Sequence, residues 1–570
     1  MQKPFSFKLK LLVGMALLVG LFTMTVSAPQ AQTPAPVAAT PAAAPAPAPA
    51  APKPDPAGID AAGPLYQPNS YLAGWGTGTM DKNGNWKAYA DPKNPTTQEL
   101  SSNLARGFYS INFAWTLVAG FLVMFMQAGF ALVETGLIRA KNVAHTMGMN
   151  FLVYAIGMTG FFIVGFALMC GGVNGTAIGG PGALGGLPTL DQMFTIKIAG
   201  TEWGLFGTTG FMLTGKAYDA AVIVWFLFMM VFMDTTATIP TGALAERWKF
   251  ASFAVFSLFV GAIIYPIYGN WMWGGGWLAQ LGLGAGLAHG AVDYAGSSVV
   301  HLQGGVLAFV LAVIVGPRIG KYDAQGRPRP ILPHNIPMAV LGTFILAFGW
   351  FGFNAGSSLA ATDGRIGIIA TNTMLASASG ALFATLYHWW MYRKPDVSMM
   401  CNGMLAGLVA ITAPCAFVAP WAAFLIGAIA GVLVVASVYF IERRGIDDPV
   451  GAISVHGVNG IWGVLALGLF ADGTYGAGWN GIGYNEYLGV AGQGVTGLFY
   501  GDSKQFLAEV IAVLACVTWA AVSGFVFFKL TGLIVGGNRV SRADEEQGLD
   551  VTEMGAPGYT GSTLEPSAGT

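Results

Sequence analysis

Apolar segments of helical length recur along most of this chain, and they limit the folds that it can adopt. A run of about 20 apolar residues is long enough for a helix to cross a bilayer core of roughly 30 Å. The sequence contains eleven such runs, which lie near 110–135, 146–171, 218–240, 250–272, 295–316, 334–354, 367–391, 401–416, 418–441, 453–471 and 507–535. Only 10% of the 570 residues are charged, against roughly a quarter in soluble domains. The sequence therefore predicts an all-α polytopic membrane protein with eleven transmembrane helices.

The residues before the first apolar run divide into three segments. Residues 1–31 combine a basic start, a short apolar stretch and small residues at the end, as in a cleavable signal peptide. Residues 32–64 are rich in Pro and Ala and are predicted to be a disordered spacer. Residues 65–105 are polar and turn-rich, and we expect them to be extracytoplasmic. The membrane domain is then expected over 106–536, with a cytoplasmic tail over 537–570.

Charge supports one orientation of these helices. With the processed N-terminus outside, eleven spans place the C-terminus inside. The loops that this topology places inside carry twelve Lys and Arg residues, whereas the outside loops carry four, as the positive-inside rule requires. A signal peptide on a helical membrane protein indicates the inner membrane of a Gram-negative type of bacterium. The net charge of −1 gives no indication of a nucleic-acid partner.

A short pattern, D-x-x-G-x-x-x-V-H, occurs twice in the apolar part of the chain. The two copies are DYAGSSVVH, from Asp293 to His301, and DPVGAISVH, from Asp448 to His456. Each copy also has a glycine four residues beyond its histidine, Gly305 and Gly460. The first copy opens the fifth span and the second opens the tenth, which runs in the opposite direction. This match predicts two inverted five-helix repeats plus a final helix, with a site near the midplane of the membrane.

The aspartate and the histidine of each copy are expected to have different roles. Eight residues of helix rise ~12 Å, so an aspartate at the helix start lies near the interface, where it can cap free N–H groups. The histidine then lies near mid-depth, where His301 and His456 can meet. No cysteine or carboxylate is expected at that depth, so no metal site is predicted. The four cysteines are interpreted as small buried hydrophobes, and the other histidines, His145, His289, His334 and His388, as structural residues near span ends or loops.

Two neutral imidazoles can share one N–H, pass a proton along, or contact a small polar molecule without carrying fixed charge. Desolvating a bare cation costs many kcal/mol, so this path favours a species that loses its charge first. Candidates for cation recognition lie on three spans. Trp273 lies at the outer end of the fourth span, Phe353 and Ser357 lie at the outer end of the sixth, and Phe228 and Phe232 lie in the third. An aromatic face attracts a cation by ~0.5–2 kcal/mol. Each aromatic alone is also explained by packing in the membrane.

Several longer motifs, in order along the chain, resemble the ammonium transporter family, and MQAGFALVETGLIRAKNVAHT resembles the bacterial form of its first span. They include GALAER, WGGGWLA, GWFGFNAGS, NGMLAGLVAITA and DDPVGAISVHGVNG, besides the first copy of the repeated pattern. The likeness runs from about Asn112 to Tyr559. It implies eleven helices with inverted halves, a homotrimer with one pore per subunit, and no cofactor.

The resemblance also implies roles for individual residues. Trp273, Phe232 and Ser357 match the positions that recruit ammonium outside, and Asp293 matches the aspartate that shapes this site and supports deprotonation. Phe232 and Phe353 match two stacked phenyl rings that gate the pore. His301 and His456 match the twin histidines that ammonia passes. In the family, the proton is thought to follow separately.

Other features of the sequence leave alternatives open. The tail SRADEEQGLDVTEMGAPGY resembles the family's cytoplasmic C-terminus, which contacts neighbouring subunits and often a PII-type regulatory protein. Asp234 and Glu134 are carboxylates within spans, and each is expected either at a subunit contact or in the pore wall. A glycine-rich loop is expected over 172–217.

Three other functions compete with ammonium transport. A passive gas channel for ammonia or carbon dioxide would not need the cation site at Trp273 and Ser357. An ammonium sensor usually carries a fused signalling domain, and about 35 residues follow the last span. An enzyme is disfavoured, because no nucleophile, metal set or cofactor motif accompanies the histidines.

Overall fold

A computed structural model describes residues 96–175, 180–482 and 494–559, with the backbone of 78–80 and 86–88. The predicted signal peptide, the Pro/Ala spacer and the last residues of the tail lie outside the described residues. Their assignments stay predictions.

Ten helices among the described residues are long and apolar enough to cross a membrane, and one further apolar helix is shorter. In chain order the helices are α1 (Thr97–Leu137), α2 (Ala140–Cys170), α3 (Ala220–Leu244), α4 (Phe250–Trp273), α5 (Ser297–Val315), α6 (Ile336–Ser358), α7 (Ile366–Tyr392), α8 (Val397–Ile411), α9 (Pro420–Arg443), α10 (Ile453–Phe470) and α11 (Ser503–Val535). Each predicted apolar run coincides with one of them, which confirms the all-α polytopic fold. Helix α1 is longer than its apolar run, so the end of the predicted polar segment 65–105 is helical.

The helices pack as two inverted halves, α1–α5 and α6–α10. In the first half α2 packs on α3 and α4, and in the second half α7 packs on α8 and α9. The two halves meet where α1 packs on α6 and where α5 packs on α10, and α11 packs on α4, α5 and α10 from one side. The predicted inverted repeat is therefore confirmed, and its two copies of the D-x-x-G-x-x-x-V-H pattern lie at the α5–α10 contact.

The described residues also contain two antiparallel strand pairs. They are β1 (Gly78–Met80) with β2 (Trp86–Ala88), and β3 (Met193–Ile198) with β4 (Thr201–Gly207). The second pair lies within the predicted glycine-rich loop. Its turn consists of Ala199 and Gly200, both with positive φ, which is the conformation of a tight hairpin turn. The hairpin supports the end of α4, because Trp271 Nε1 donates to the Leu205 carbonyl at 3.1 Å.

A buried ion cluster ties together the ends of α3 and α5 and the start of α10. The guanidinium of Arg318 donates to both carboxylate oxygens of Asp447, at 2.8 and 2.9 Å, and to Glu246 at 2.9 Å. Burial alone would raise the pKa of the Asp447 carboxyl, but Arg318 and Arg247 hold that pKa below its ordinary value. Such a paired, fully hydrogen-bonded cluster is tolerated in a buried position, whereas removal of one partner is costly.

The C-terminal tail folds back on this same face of the protein. It forms two short helices, α12 (Arg542–Gln547) and α13 (Leu549–Thr552). The carboxylate of Asp550 accepts from the backbone N–H of His145 at 2.9 Å, and the Leu549 N–H donates to the side chain of Asn142 at 2.9 Å. The tail is thus docked at the start of α2.

Candidate functional site

The repeated D-x-x-G-x-x-x-V-H pattern forms the same local structure twice. Its glycines, Gly296 and Gly451, have φ values of 110° and 82°, which side-chain-bearing residues rarely adopt. The turn at each glycine lets the preceding aspartate cap the helix that follows. Asp293 accepts four backbone N–H bonds, from residues 296–299, at 2.7–3.1 Å. Asp448 accepts from Gly451 and Ile453 at 3.0 and 2.7 Å.

The capping role predicted for both aspartates agrees with these contacts, but the predicted helix start is wrong. Helix α5 begins at Ser297, four residues after Asp293. The difference arises because the chain first turns at Gly296, so the carboxylate reaches the free N–H groups from outside the helix.

The histidines of the two copies meet between α5 and α10. Each lies in a π-helical turn, Ser297–Leu302 or Ile453–Val458, a local widening of the helix that recurs at functional sites. The Nδ1 atoms of His301 and His456 are 3.2 Å apart, and the ring centroids are 5.2 Å apart. Both side chains are buried. Among the described residues, His301 Nε2 has no hydrogen-bond partner.

Glycines allow the two helices to cross closely enough for this contact. A Cβ atom at Gly305 would lie 2.1 Å from the backbone nitrogen of Gly457, and one at Gly460 would lie 2.8 Å from that of Leu302. Both distances are well below van der Waals contact. The glycines that follow each histidine in the sequence therefore set the separation of the rings.

Aromatic rings form a continuous column on one side of the histidine pair. Trp350 and Phe353 stack on His301 with centroids 5.1 and 5.3 Å away. Phe353 stacks on Phe232 with centroids 4.1 Å apart, and Phe232 makes a T-shaped contact with Trp273 with centroids 6.0 Å apart. The column thus connects the histidines to the end of α4.

The column ends at a cavity of about 420 Å³, which we call the vestibule. Trp273 and Ser357 line it, and so does Phe228. The Trp273 indole is held in place because its Nε1 donates to the backbone carbonyl of Asp293 at 2.6 Å. The Asp293 carboxylate is buried beneath the vestibule wall and is not part of its lining.

The structure therefore brings the predicted site residues together in layers. Trp273 and Ser357 lie in the vestibule, Phe232 and Phe353 lie below it, and the histidines follow. Trp225 on α3 also lines the vestibule and was missed. It lies seven residues before Phe232, on the same face of α3, and this spacing could have identified it.

On the other side of the pair, His456 lines a cavity of about 20 Å³. Glu134 and Asn402 line the same cavity, and its remaining walls are apolar. The expectation that no carboxylate lies beside the histidines is wrong, because Glu134, near the end of α1, lines the same cavity as His456. Within the described residues, no cluster of three or more His, Cys, Asp or Glu side chains could hold a metal ion.

The structure also gives the locations of the other residues that the sequence analysis singled out. All four cysteines are free and buried, as predicted. His334 bonds the Ile138 carbonyl and the Tyr559 hydroxyl, both at 2.9 Å, which fits its structural interpretation. Asp234 is buried within α3, and its Oδ1 atom has no hydrogen-bond partner among the described residues.

Two inverted repeats that meet at a buried polar pair define the chain as a membrane transport protein. The model of the Ammonium Transporter Family matches residues 114–559. The chain is 46% identical over 477 residues to the ammonium transporter Amt2 of Archaeoglobus fulgidus, covering 83% of this chain and 92% of that protein. It is 37% identical to the ammonium transporter Amt1 of Haloferax mediterranei, with 79% of each protein covered.

A solved structure gives the same result. The protein named Sensor Amt Protein is 35% identical, has a TM-score of 0.65, and is matched over 78% of this chain and 98% of that one. The chain belongs to the ammonium transporter family.

Proposed function

We propose that this protein binds ammonium in the vestibule, removes its proton, and passes ammonia along the histidine pair to the other side of the membrane. The observation that carries this proposal is the unbroken column from Trp273 through Phe232 and Phe353 to His301, with every successive centroid distance at or below 6.0 Å. A column of aromatic rings and neutral imidazoles offers a cation no charged partner.

The vestibule supplies what an ammonium ion needs at the entrance. The fixed indole of Trp273 offers a π face, and the Ser357 hydroxyl, which donates to the Phe353 carbonyl at 2.7 Å, keeps its oxygen lone pairs available. Cation–π attraction is worth ~0.5–2 kcal/mol. A neutral gas does not need the cation–π contact at Trp273, which favours ammonium over the passive-channel alternative.

The phenyl rings below the vestibule act as a gate in this proposal. Phe232 and Phe353 stack with an interplanar angle of 25° and a centroid distance of 4.1 Å, so their faces are in contact. A molecule that passes must displace at least one ring. This requirement disfavours a hydrated ion and leaves a small neutral molecule as the permeant species.

The histidine pair then provides the polar contacts inside the membrane. In the 3.2 Å contact one Nδ1 atom carries a proton and donates a hydrogen bond, and the other Nδ1 atom accepts that bond. A proton added at one end of the pair can leave from the other end, so charge can cross separately from ammonia. Potassium has no proton to lose, and this difference explains its exclusion.

We further propose that the vestibule faces the outside of the bacterial inner membrane, with the docked tail inside. The excess of Lys and Arg in the loops on the tail's side supports this orientation. The resemblance to the family supports a homotrimer with one path per subunit and a PII-type regulatory protein at the tail.

Current measurements on proteoliposomes test the transport mechanism. After an ammonium pulse we expect a saturable inward current from the wild type and none from Asp293→Ala. Loss of the carboxylate removes the cap of α5, which fixes the turn whose backbone carbonyl holds Trp273. His301→Ala interrupts the pair and should lose discrimination against potassium. Ammonia uptake without current in the wild type would support the passive channel instead.

The likeness to a Sensor Amt Protein favours an ammonium sensor as the second candidate function. A sensor would bind ammonium in the vestibule without moving it. Quenching of tryptophan fluorescence by ammonium, combined with the absence of both current and ammonia flux, would select this alternative.

A further inference from the structure

Glu134 is a carboxylate within the membrane that the mechanism above does not use. It lies on α1, one turn before the helix ends, and its side chain is buried in a single subunit. Burying a carboxylate costs free energy unless it is hydrogen-bonded, so the presence of Glu134 at this buried position requires an explanation.

Two neighbouring helices supply hydrogen bonds to this carboxylate. The Asn150 amide on α2 donates to Oε2 at 2.7 Å, and the Thr241 hydroxyl on α3 lies 2.9 and 2.8 Å from Oε1 and Oε2. The side chain is therefore held in one place. Both carboxylate oxygens have hydrogen-bond partners in this buried position.

The hydroxyl of Thr241 can serve both protonation states of Glu134. It also lies 2.6 Å from the backbone carbonyl of Thr238, which can only accept. A hydroxyl has a single proton. When Thr241 donates to the carbonyl, its oxygen accepts from a protonated Glu134, and when Glu134 is ionised the hydroxyl can turn and donate to it. Neither state leaves a buried group without a partner.

The cavity of about 20 Å³ connects Glu134 to the histidine pair. A cavity above roughly 10–15 Å³ holds one water molecule if two or more polar groups surround it. Glu134, His456 and Asn402 are the polar side chains in its lining. The Nδ1 atom of His456 is engaged with His301, which leaves Nε2 for a further hydrogen bond.

We propose that Glu134 accepts the proton that leaves the histidine pair. A proton from the vestibule side bonds to Nε2 of His301, and the proton shared between the Nδ1 atoms moves to His456. The N–H bond at Nε2 of His456 breaks as water in the cavity takes that proton and gives one of its own to a carboxylate oxygen of Glu134. Water is regenerated, and the carboxylate becomes a carboxylic acid.

The acid can then release its proton towards the side where the tail docks. Val450 lines the same cavity as Glu134, and two residues before it Asp448 lines a second cavity of about 30 Å³. Lys321 and Glu442, which form an ion pair, are also part of that lining. Polar groups thus continue from Glu134 towards the loops at this face.

This inference rests on the proposed function, and two measurements on the same full-length protein separate them. Proteoliposomes report charge movement as the current that follows an ammonium jump. They report ammonia entry as the rise in internal pH under an imposed ammonia gradient. Glu134→Gln keeps the size of the side chain and removes the acceptor charge, Glu134→Asp keeps the charge, and Asp234→Asn is the matched control for loss of a different buried carboxyl.

We expect Glu134→Gln to lower the current at least tenfold, since a positioned acid–base group contributes about 10²–10⁴-fold, while ammonia entry stays within about twofold. Glu134→Asp should regain part of the current, and Asp234→Asn should behave as wild type. A Glu134→Gln protein with normal current, or with current and ammonia entry lowered together, overturns the proposal, and so does an equal loss in Asp234→Asn. A wild type that admits ammonia without current overturns the proposed function and this relay with it.

Discussion

Replacing Gly305 by alanine tests whether the helix crossing sets the histidine contact. The added Cβ would lie 2.1 Å from the Gly457 nitrogen, where ordinary contact begins at 3.4 Å, so α5 and α10 must separate by roughly 1.3 Å. Gly305 lies four residues after His301, about one helical turn away. The same displacement would lengthen the Nδ1–Nδ1 distance from 3.2 Å to roughly 4.5 Å, which is beyond hydrogen-bonding range.

Two consequences are expected from this separation. Overpacking of a tight core typically costs about 1–3 kcal/mol, so thermal unfolding of the purified protein should begin at a lower temperature. The ammonium-induced current in proteoliposomes should be lost because the proton can no longer pass between the rings.

A second glycine provides the matched control. Gly107 lies within α1, and a Cβ atom added there would meet no other atom within 4 Å. Gly107→Ala should leave the current unchanged and stabilise the protein by about 0.5–1 kcal/mol, as alanine favours a helix more than glycine does. A Gly305→Ala protein that is as stable and as active as Gly107→Ala would refute the reasoning.

Two further predictions concern the vestibule and the ion cluster. Trp273→Leu should raise the ammonium concentration for half-maximal current by about 2- to 30-fold, which corresponds to the loss of a cation–π contact of ~0.5–2 kcal/mol. The maximal current should be less affected. An unchanged half-maximal concentration would show that the indole does not bind ammonium. Asp447→Asn should lower stability by about 3–5 kcal/mol at pH 7, because Arg318 loses one of its two buried carboxylate partners and keeps only Glu246. Since the pKa of Asp447 is held low in the folded protein, its contribution is complete above about pH 4 and declines as the pH falls further, so the difference in unfolding temperature between the two proteins should shrink at pH 3.

The transmembrane architecture could be predicted because the membrane imposes it. A helix that crosses hydrocarbon must be predominantly apolar over about 20 residues, and each apolar run in the sequence corresponds to a helix. The sequence analysis did not predict the β3–β4 hairpin, because it lies outside the spans, where the membrane does not constrain the sequence. Its short strands among many glycines give no regular alternation of apolar and polar residues.

The site could be predicted where a residue had a counterpart in the other repeat. Asp293 and His301 each have one, and the helix cap and the histidine contact that they form follow from their matched place in opposite helices. Glu134 has no such counterpart in the sequence pattern. Its position beside His456 depends on the length of α1 and on how α1 packs against α3, and neither is encoded in the residues near Glu134.

The pseudo-twofold relation of the two imidazoles does not extend to their surroundings. One ring is covered by Trp350 and Phe353, whereas the other borders a small cavity that Asn402 and Glu134 also line. A molecule that arrives from one end therefore meets hydrophobic cover first, and one that arrives from the other end meets amide and carboxyl groups. The backbone is near-symmetric, and directional behaviour has to originate in the side chains that depart from that symmetry.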